Sequence, residues 1–360
     1  MKKKIWNIVK VICFLALFCA IGLEATSVMG ISNIYSEHAE MMVNGYYETD
    51  EDTVDVLFVG NSHVYRYWQG AFAWKEYGLA SLALSTSDMP YSVVKDVAIE
   101  ALKTQNPKLI VFDLTSFVKS NDNADNADSL NKIYLLLNNL KFSKNYLNII
   151  SDFCYYNDIT GKDMLQYYLP LIQFHDRWSE MAERDFVQTQ ESYLNSCYED
   201  QFLTYAITDS THAYTDESGK MEDDCMEALC DICEWINDEL DCEVLFYVAP
   251  TVRSEWALKR WNAAADVVKS YGIDVIDFND EGEYELFGFD DLTDFQDANH
   301  TNVKGSYKFT NYFAQYIMDT YGIESHTGEA AYASWDEKAD AYYDIVSEYL
   351  WPTETDEEEE

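Results

Sequence analysis

The feature that most constrains this chain is a short apolar run at residues 54–59 that ends at a glycine and a serine. The run reads VDVLFV, and Gly60, Asn61, Ser62 and His63 follow it. A run of this length before a turn signal indicates a buried strand, and open α/β sheets carry their chemistry at the carboxyl ends of strands. Gly60 permits a tight turn there. Ser62 is therefore a candidate nucleophile, although a serine in front of a helical pattern can also be only an N-cap.

Strand and helix patterns alternate along most of the chain. Short apolar runs predict further strands at residues 79–84, 109–114, 243–249 and 273–278. Helical patterns are found at residues 65–77, 90–105, 255–271 and 303–321. This alternation predicts a parallel sheet with helices on both faces, in one α/β domain at residues 51–325. Residues 130–240 are rich in Leu, Tyr and Trp with few strand signals, so they predict a helical insertion beside that sheet.

A second motif, near the carboxyl end of the predicted domain, supports a catalytic role for Ser62. Residues 294–305 read DFQDANHTNVKG, which places Asp297 three residues before His300 and just ahead of a helical pattern. A carboxylate at this spacing can orient the imidazole and stabilise its charge, and the imidazole can take a proton from a serine. Triads are assembled in space, so the long separation from Ser62 is no obstacle. Ser62, His300 and Asp297 are thus the predicted catalytic residues.

Four segments of the chain resemble the SGNH (GDSL-like) hydrolases, in particular a membrane-anchored bacterial branch related to teichoic-acid D-alanylation and polysaccharide O-acetylation proteins. They are residues 54–63 (VDVLFVGNSH), 106–114 (NPKLIVFDL), 169–178 (LPLIQFHDRW) and 293–305 (TDFQDANHTNVKG). The resemblance implies a flavodoxin-like three-layer α/β fold with a parallel sheet, and Ser–His–Asp acyl chemistry. It also implies a cell-envelope glycan or polymer as substrate, and a membrane-bound acyl-transfer protein as partner.

The resemblance further implies an oxyanion hole, which this chain would have to build differently. In the family, a glycine of a second block and an asparagine of a third block join the backbone N–H of the nucleophile as donors. Residues 81–90 (SLALSTSDMP) contain no glycine, and no asparagine closely follows residues 109–114. The oxyanion hole is therefore either adapted or weakened. The positions that we expect to supply donors instead are Ala83, Thr86 and Asn121.

Three more side chains are candidates for contact with substrate. His63 directly follows the nucleophile and could bind substrate, with a structural role as the equal alternative. His175 and Arg177 lie beside Trp178 in the helical insertion, and ligand sites combine aromatic walls with few polar groups. A lone histidine in such a place is more often a satisfied structural residue, so both interpretations stay open.

The charge of the chain restricts its partners. It has 24 basic and 65 acidic residues, which give a formal net charge of −41. Nucleic acids and anionic membrane surfaces are themselves polyanions, so we expect no nucleic-acid partner and no electrostatic attraction to anionic lipid. Part of the acidic charge lies at the end of residues 326–360, which predict a further helix and a disordered acidic tail.

The N-terminus predicts a membrane anchor at residues 1–25. Lysines at positions 2, 3, 4 and 10 accompany the apolar run VICFLALFCAIGL. Extended back to Ile5, the span has 19 residues, close to the number of about 20 that a bilayer core requires. The lysines should stay in the cytoplasm, so the rest of the chain would be exported on a single pass. A cleaved signal peptide is the alternative. Residues 26–50 then predict a stalk between anchor and domain.

Eight cysteines raise the question of a metal site. Cys225, Cys230, Cys233 and Cys242 include a C-x-x-C pair, which can indicate zinc. Their spacing is irregular and most of them fall in a helical pattern, whereas structural zinc sites show regular pairs. We therefore expect neither a metal nor another cofactor.

These features together predict an extracytoplasmic serine-dependent O-acyl esterase or acyltransferase that acts on a cell-envelope polymer. The alternative is a catalytically silent protein that keeps the fold and serves in binding or assembly. The altered oxyanion hole favours this alternative, and the intact set of Ser62, His300 and Asp297 opposes it.

Overall fold

A five-stranded parallel sheet forms the centre of the protein. The computed structural model describes residues 2–30, 34–118, 130–186, 199–208, 214–251 and 254–351. The strands are β1 (Val56–Gly60), β2 (Ser81–Ser85), β3 (Leu109–Asp113), β4 (Glu243–Val248) and β5 (Asp274–Asp277). Every pairing is parallel, and the strand order is β2-β1-β3-β4-β5. This is the order of flavodoxin-like doubly wound sheets, whose topological switch point lies between β1 and β3. The predicted α/β class and parallel sheet are confirmed.

The helices surround the sheet and extend the chain at both ends. The α-helices are α1 (Lys2–Val28), α2 (Ile34–Tyr47), α3 (Ser62–Tyr67), α4 (Gly70–Tyr77), α5 (Val94–Ala101), α6 (Ile133–Leu137), α7 (Lys144–Tyr156), α8 (Leu165–Tyr168), α9 (Leu171–Phe174), α10 (Asp223–Glu239), α11 (Glu255–Ser270), α12 (Val303–Tyr321) and α13 (Ala333–Leu350). Short 3-10 helices are Tyr91–Val93, Leu114–Phe117, Gly161–Met164, Arg177–Ser179, Glu183–Asp185, Glu199–Phe202, Tyr284–Phe287 and Ala330–Tyr332.

Helices cover both faces of the sheet, as the side chains of strand β1 show. All five of its residues are buried, and successive side chains point to opposite faces because strands have a period of two. Leu57 and Val59 pack in one apolar cluster, with helices such as α5 and α10. Val56 and Phe58 pack in the other, where Phe58 contacts Phe313 of α12. A continuous apolar strand is thus explained by burial on two sides.

The segment predicted as a stalk is instead part of the domain. Within residues 26–50, helix α2 packs against the edge strand β2. Met42, Val43 and Tyr46 of this helix are almost completely buried. The hydroxyl of Tyr46 also donates to the carbonyl of Glu100 at 2.6 Å. The interpretation as a stalk is therefore corrected: the N-terminal helix joins the folded domain with hardly any spacer.

The predicted insertion contains helices α6 to α10, and the described part of residues 130–240 has no strand. Helix α10 packs against α11, and the side chains of Cys225 and Cys233 face the apolar core. Burial raises the pKa of the Cys233 thiol to about 12. The C-x-x-C pair thus contributes an inward-facing cysteine to a core helix.

Among the residues that the structure describes, one helix is long and apolar enough to cross a membrane. It spans Lys3–Thr26, has a mean hydropathy of 2.3 and is not buried against the protein. At the carboxyl end of the chain, the last described residue is Trp351, so the predicted acidic tail lies outside the described residues.

Candidate active site

The turn that carries Ser62 joins β1 to α3 at the carboxyl edge of the sheet. Asn61 is the N-cap of α3, since its side-chain oxygen accepts a hydrogen bond from the backbone N–H of His63 at 2.9 Å. Ser62 is therefore not the cap, and its hydroxyl instead lies next to His300. Gly60 allows the turn to approach β3 closely, because a Cβ at this position would lie 2.5 Å from Cβ of Asp113.

The second motif forms a tight loop in front of α12. The chain pairs with itself at Phe295 and Thr301, with an isolated antiparallel bridge. Asn302 caps α12 by accepting from two backbone N–H groups, and its amide nitrogen donates to the carbonyl of Thr293 at 2.7 Å. Gly305 is required because a Cβ there would lie 2.2 Å from the carbonyl oxygen of Asp294. The motif residues around the histidine thus fold the loop that presents it.

Three hydrogen bonds join this loop to α3. The hydroxyl of Thr301 donates to the carbonyl of Arg66 at 2.6 Å. The hydroxyl of Tyr67 donates to the carbonyl of Asn299 at 3.0 Å. The guanidinium of Arg66 donates to the side chain of Gln296, also at 3.0 Å. These bonds fix the two motifs relative to each other across more than 200 positions of sequence.

Ser62, His300 and Asp297 form a hydrogen-bonded chain. Oγ of Ser62 lies 2.8 Å from Nε2 of His300, and Nδ1 of His300 lies 2.8 Å from Oδ2 of Asp297. When Nδ1–H donates to the carboxylate, Nε2 of the neutral imidazole is the acceptor for the serine hydroxyl. Burial alone would raise the pKa of Asp297, but the hydrogen bond and charge of His300 outweigh it and hold this pKa well below its usual range.

No family model matches this chain, and no curated protein matches it. A hydroxyl, an imidazole and a carboxylate in this order are the arrangement that activates serine for attack on an acyl carbon. Among the described residues, no group of three or more His, Cys, Asp or Glu side chains is arranged to hold a metal ion.

A second polar network lies beside the triad, and sequence reasoning missed two of its members. Oγ1 of Thr115 lies 2.7 Å from Oδ1 of Asp113, 2.9 Å from Nδ1 of His63 and 3.2 Å from Nδ2 of Asn61. A hydroxyl donates one proton, here to the carboxylate, so it accepts from the amide and from His63 Nδ1–H. The His63 ring centre is 5.4 Å from that of His300.

Asp113 is the buried end of this network. It ends β3 at the switch point of the sheet and has no solvent exposure. Burial raises the pKa of its carboxyl to about 6, although hydrogen bonds from Thr115, Ser116 and Asn61 oppose the rise. The available signal was an aspartate at the end of the apolar run 109–114, where sheets of this class carry functional groups.

The positions expected to supply oxyanion donors have different outcomes. Thr86 directly follows β2 at the same edge as Ser62, since Ser85 is paired with Gly60. It is buried, and its hydroxyl has no hydrogen-bond partner among the described residues. Ala83 lies in the middle of β2, paired with Phe58, and so does not reach the carboxyl end of the strand where Ser62 lies. Asn121 lies outside the described residues.

His175 and Arg177 bond within the helical insertion. Nδ1 of His175 is 2.9 Å from the carbonyl of Ile172, and the imidazole is exposed. The guanidinium of Arg177 donates to Oδ1 of Asp185 at 2.7 Å. Their polar contacts are thus local, whereas those of Ser62, His300 and Asp297 join one another.

Proposed function

We propose that this protein is a serine-dependent O-acyl esterase or acyltransferase with Ser62 as nucleophile, His300 as base and Asp297 as the residue that orients the base. The hydrogen-bonded chain from the serine hydroxyl to the carboxylate carries this proposal. Ser62 is a half-buried residue at the carboxyl edge of the sheet, where substrates of open α/β folds bind.

The reaction proceeds in two halves. Oγ of Ser62 attacks the ester carbonyl carbon while its proton passes to Nε2 of His300. The imidazolium, stabilised by Asp297, then gives this proton to the departing alkoxide, and the acyl group remains on Ser62 as an ester. In the second half, water or a sugar hydroxyl loses its proton to His300 and attacks the acyl carbon. The bond between the acyl carbon and Oγ of Ser62 then breaks, and the imidazolium of His300 returns its proton to Oγ, which regenerates the hydroxyl.

The developing oxyanion needs donors that face it in the transition state. The backbone N–H of Ser62 is one, at the amino end of α3. The second that we propose is the hydroxyl of Thr86, which is buried at the same edge and has no partner among the described residues. A side-chain hydroxyl thereby takes the place that a glycine N–H has in the SGNH family.

The proposed setting is the outer face of a bacterial membrane, with a cell-envelope polysaccharide or related polymer as acceptor or substrate. The apolar helix with its N-terminal lysines supports a single pass that exports the domain. The resemblance to O-acetylation and D-alanylation proteins supports an SGNH-type fold, the polymer substrate and a membrane-bound acyl-transfer partner.

The proposal is tested by hydrolysis of p-nitrophenyl acetate by the full chain in detergent. We expect release of p-nitrophenol that is abolished in Ser62→Ala and unchanged in Ser270→Ala, whose serine is exposed at the end of α11. Equal activity in both variants would contradict the assignment of Ser62. A folded wild type that neither hydrolyses the ester nor is acylated by it would support the silent binding protein.

A further inference from the structure

We propose that helices α8 and α9 form a surface that rests on the lipid bilayer beside the N-terminal helix. This surface, called here the apolar ledge, consists of Leu165, Tyr168, Leu169 and Ile172. The inference rests on the proposed membrane anchor and not on the proposed acyl chemistry.

The first observation is how closely the domain follows the apolar helix. Gly30 is buried and lies only seven residues beyond Leu23, the last residue of the apolar run. A Cβ on Gly30 would lie 2.4 Å from the side chain of Asn138, so the chain meets the domain there. Seven residues of helix rise about 10 Å. The face of the domain around Asn138 is therefore held within roughly one headgroup layer of the bilayer core.

The apolar ledge lies next to this face. Asn138 directly follows helix α6, and one turn earlier the ring of Tyr134 on that helix packs against α8 and α9. Its centre is 5.5 Å from that of Tyr167 in α8 and 4.9 Å from that of Phe174 in α9. Helix α6 also packs against α2, the helix that follows the membrane-proximal segment. Helix α6 thus contacts the two short helices through Tyr134 and the entry point through Asn138.

The opposite side of α8 and α9 is apolar and exposed. Tyr167 is buried, whereas the four residues of the apolar ledge have exposed fractions of 37 to 56%. Adjacent large apolar side chains in water mark interaction or membrane sites. Trp178, with an exposed fraction of 71%, follows soon after, and tryptophan is favoured at membrane interfaces.

Charge favours lipid as the occupant of this surface. Residues 164–174 (MLQYYLPLIQF) contain no charged side chain in a chain that carries 65 acidic residues. An acidic protein is repelled by anionic lipid wherever its carboxylates face the bilayer. The uncharged apolar ledge can approach headgroups without that repulsion and can bury apolar side chains among them. Attachment would then arise from apolar contact and not from electrostatic attraction.

Photo-crosslinking of the full chain in lipid vesicles tests this orientation. A benzophenone amino acid replaces Leu169 in one variant and, as the matched control, Leu286 in another. Leu286 is similarly exposed, at 46% against 56%, but lies in the segment after β5, at the opposite edge of the sheet from β2. We expect lipid adducts from position 169 at least tenfold more abundant than from position 286.

Three results would overturn the proposal. One is equal lipid adducts at the two positions in protein that resists extraction by carbonate. Another is a covalent dimer from position 169, which would assign the apolar ledge to a second copy of this chain. The third is release of the whole chain by carbonate, which would remove the anchor on which the inference rests. None of these results depends on whether Ser62 is a nucleophile.

Discussion

The hydroxyl of Ser62 and Nε2 of His300 lie 2.8 Å apart although 238 positions of sequence separate them. Each side chain is held by its own element, Ser62 at the start of α3 and His300 in the loop before α12. Because bonds from Thr301 to Arg66 and from Tyr67 to Asn299 tie these elements together, the contact is built into the fold. The proposed triad is thus already assembled in the fold, as preorganised catalysis requires.

Replacement of the orienting carboxylate should separate binding from chemistry. In Asp297→Asn the amide can donate to His300 Nδ1 and favour the wrong tautomer, so we expect kcat to fall by about 10³ to 10⁴ with little change in KM. Steady-state hydrolysis of p-nitrophenyl acetate measures this. Glu281→Gln, an exposed acid in the same acidic region, serves as the control. A loss below tenfold would show that Asp297 does not orient the base.

The hydroxyl of Thr115 should matter for stability more than that of Thr86. Thr115→Val removes a donor to the buried Asp113 and the acceptor for His63. We therefore expect the free energy of unfolding to fall by about 1 to 3 kcal/mol. Thr86→Val removes a buried hydroxyl that has no hydrogen-bond partner among the described residues, so this change should be neutral or stabilising. Urea unfolding of both variants measures the difference. The reverse order would contradict the network.

Thr86→Val should nevertheless impair the reaction. If its hydroxyl stabilises the oxyanion, its loss lowers kcat by about 10² to 10³ while the fold is kept. Pre-steady-state acylation of the same variant locates the loss in formation of the acyl-enzyme. Unchanged acylation would exclude Thr86 from the oxyanion hole.

The close approach at Gly60 predicts a large effect from one methyl group. In Gly60→Ala the new Cβ would meet that of Asp113 at 2.5 Å, so the turn must shift. Overpacking of this kind destabilises by about 1 to 3 kcal/mol, and the shift should also move Ser62. Thermal unfolding and ester hydrolysis measure the two effects. Gly22→Ala is the control, since a Cβ there meets nothing within 4 Å.

Asp113 gives the stability a specific dependence on pH. Its pKa of about 6 in the folded protein exceeds its ordinary value of 3.8, so the folded state holds the proton more tightly. The protonated carboxyl of Asp113 therefore favours the folded state at low pH. This contribution to the free energy of unfolding is lost as pH rises from about 4 to about 6, and it amounts to about 3 kcal/mol at most. Urea midpoints across this range should fall less in Asp113→Asn. An identical slope in both proteins would contradict the buried, titrating carboxyl.

Most of the sheet could be predicted because its strands are short apolar runs ended by turn residues. The predicted run at 109–114, for example, contains the observed strand Leu109–Asp113. The helical pattern at 65–77 is divided into α3 and α4 for a tertiary reason. The N–H of Gln69 donates to the hydroxyl of Thr310, which itself donates to the carbonyl of Tyr67. The pattern of apolar residues within 65–77 cannot reveal a contact with a residue more than 200 positions away.

The candidate site was only partly accessible from sequence. Ser62, His300 and Asp297 belong to local motifs with fixed spacing, and the structure brings them together. Asp113 lies in the segment 106–114 and Thr115 just after it, but neither has a partner at a fixed spacing, and their importance arises from burial beside His63. Helix α2 was missed for a related reason: its mixed composition resembles a linker until β2 supplies the surface that buries Met42.

Labelling with a fluorophosphonate probe tests the central claim most directly, because the probe phosphonylates only a serine that a neighbouring base has activated. We expect one adduct on the full chain, mapped by mass spectrometry to Ser62, and at least a hundredfold slower labelling in His300→Ala. Absence of an adduct in folded protein, or equal labelling in the two proteins, would contradict a catalytic triad at this site.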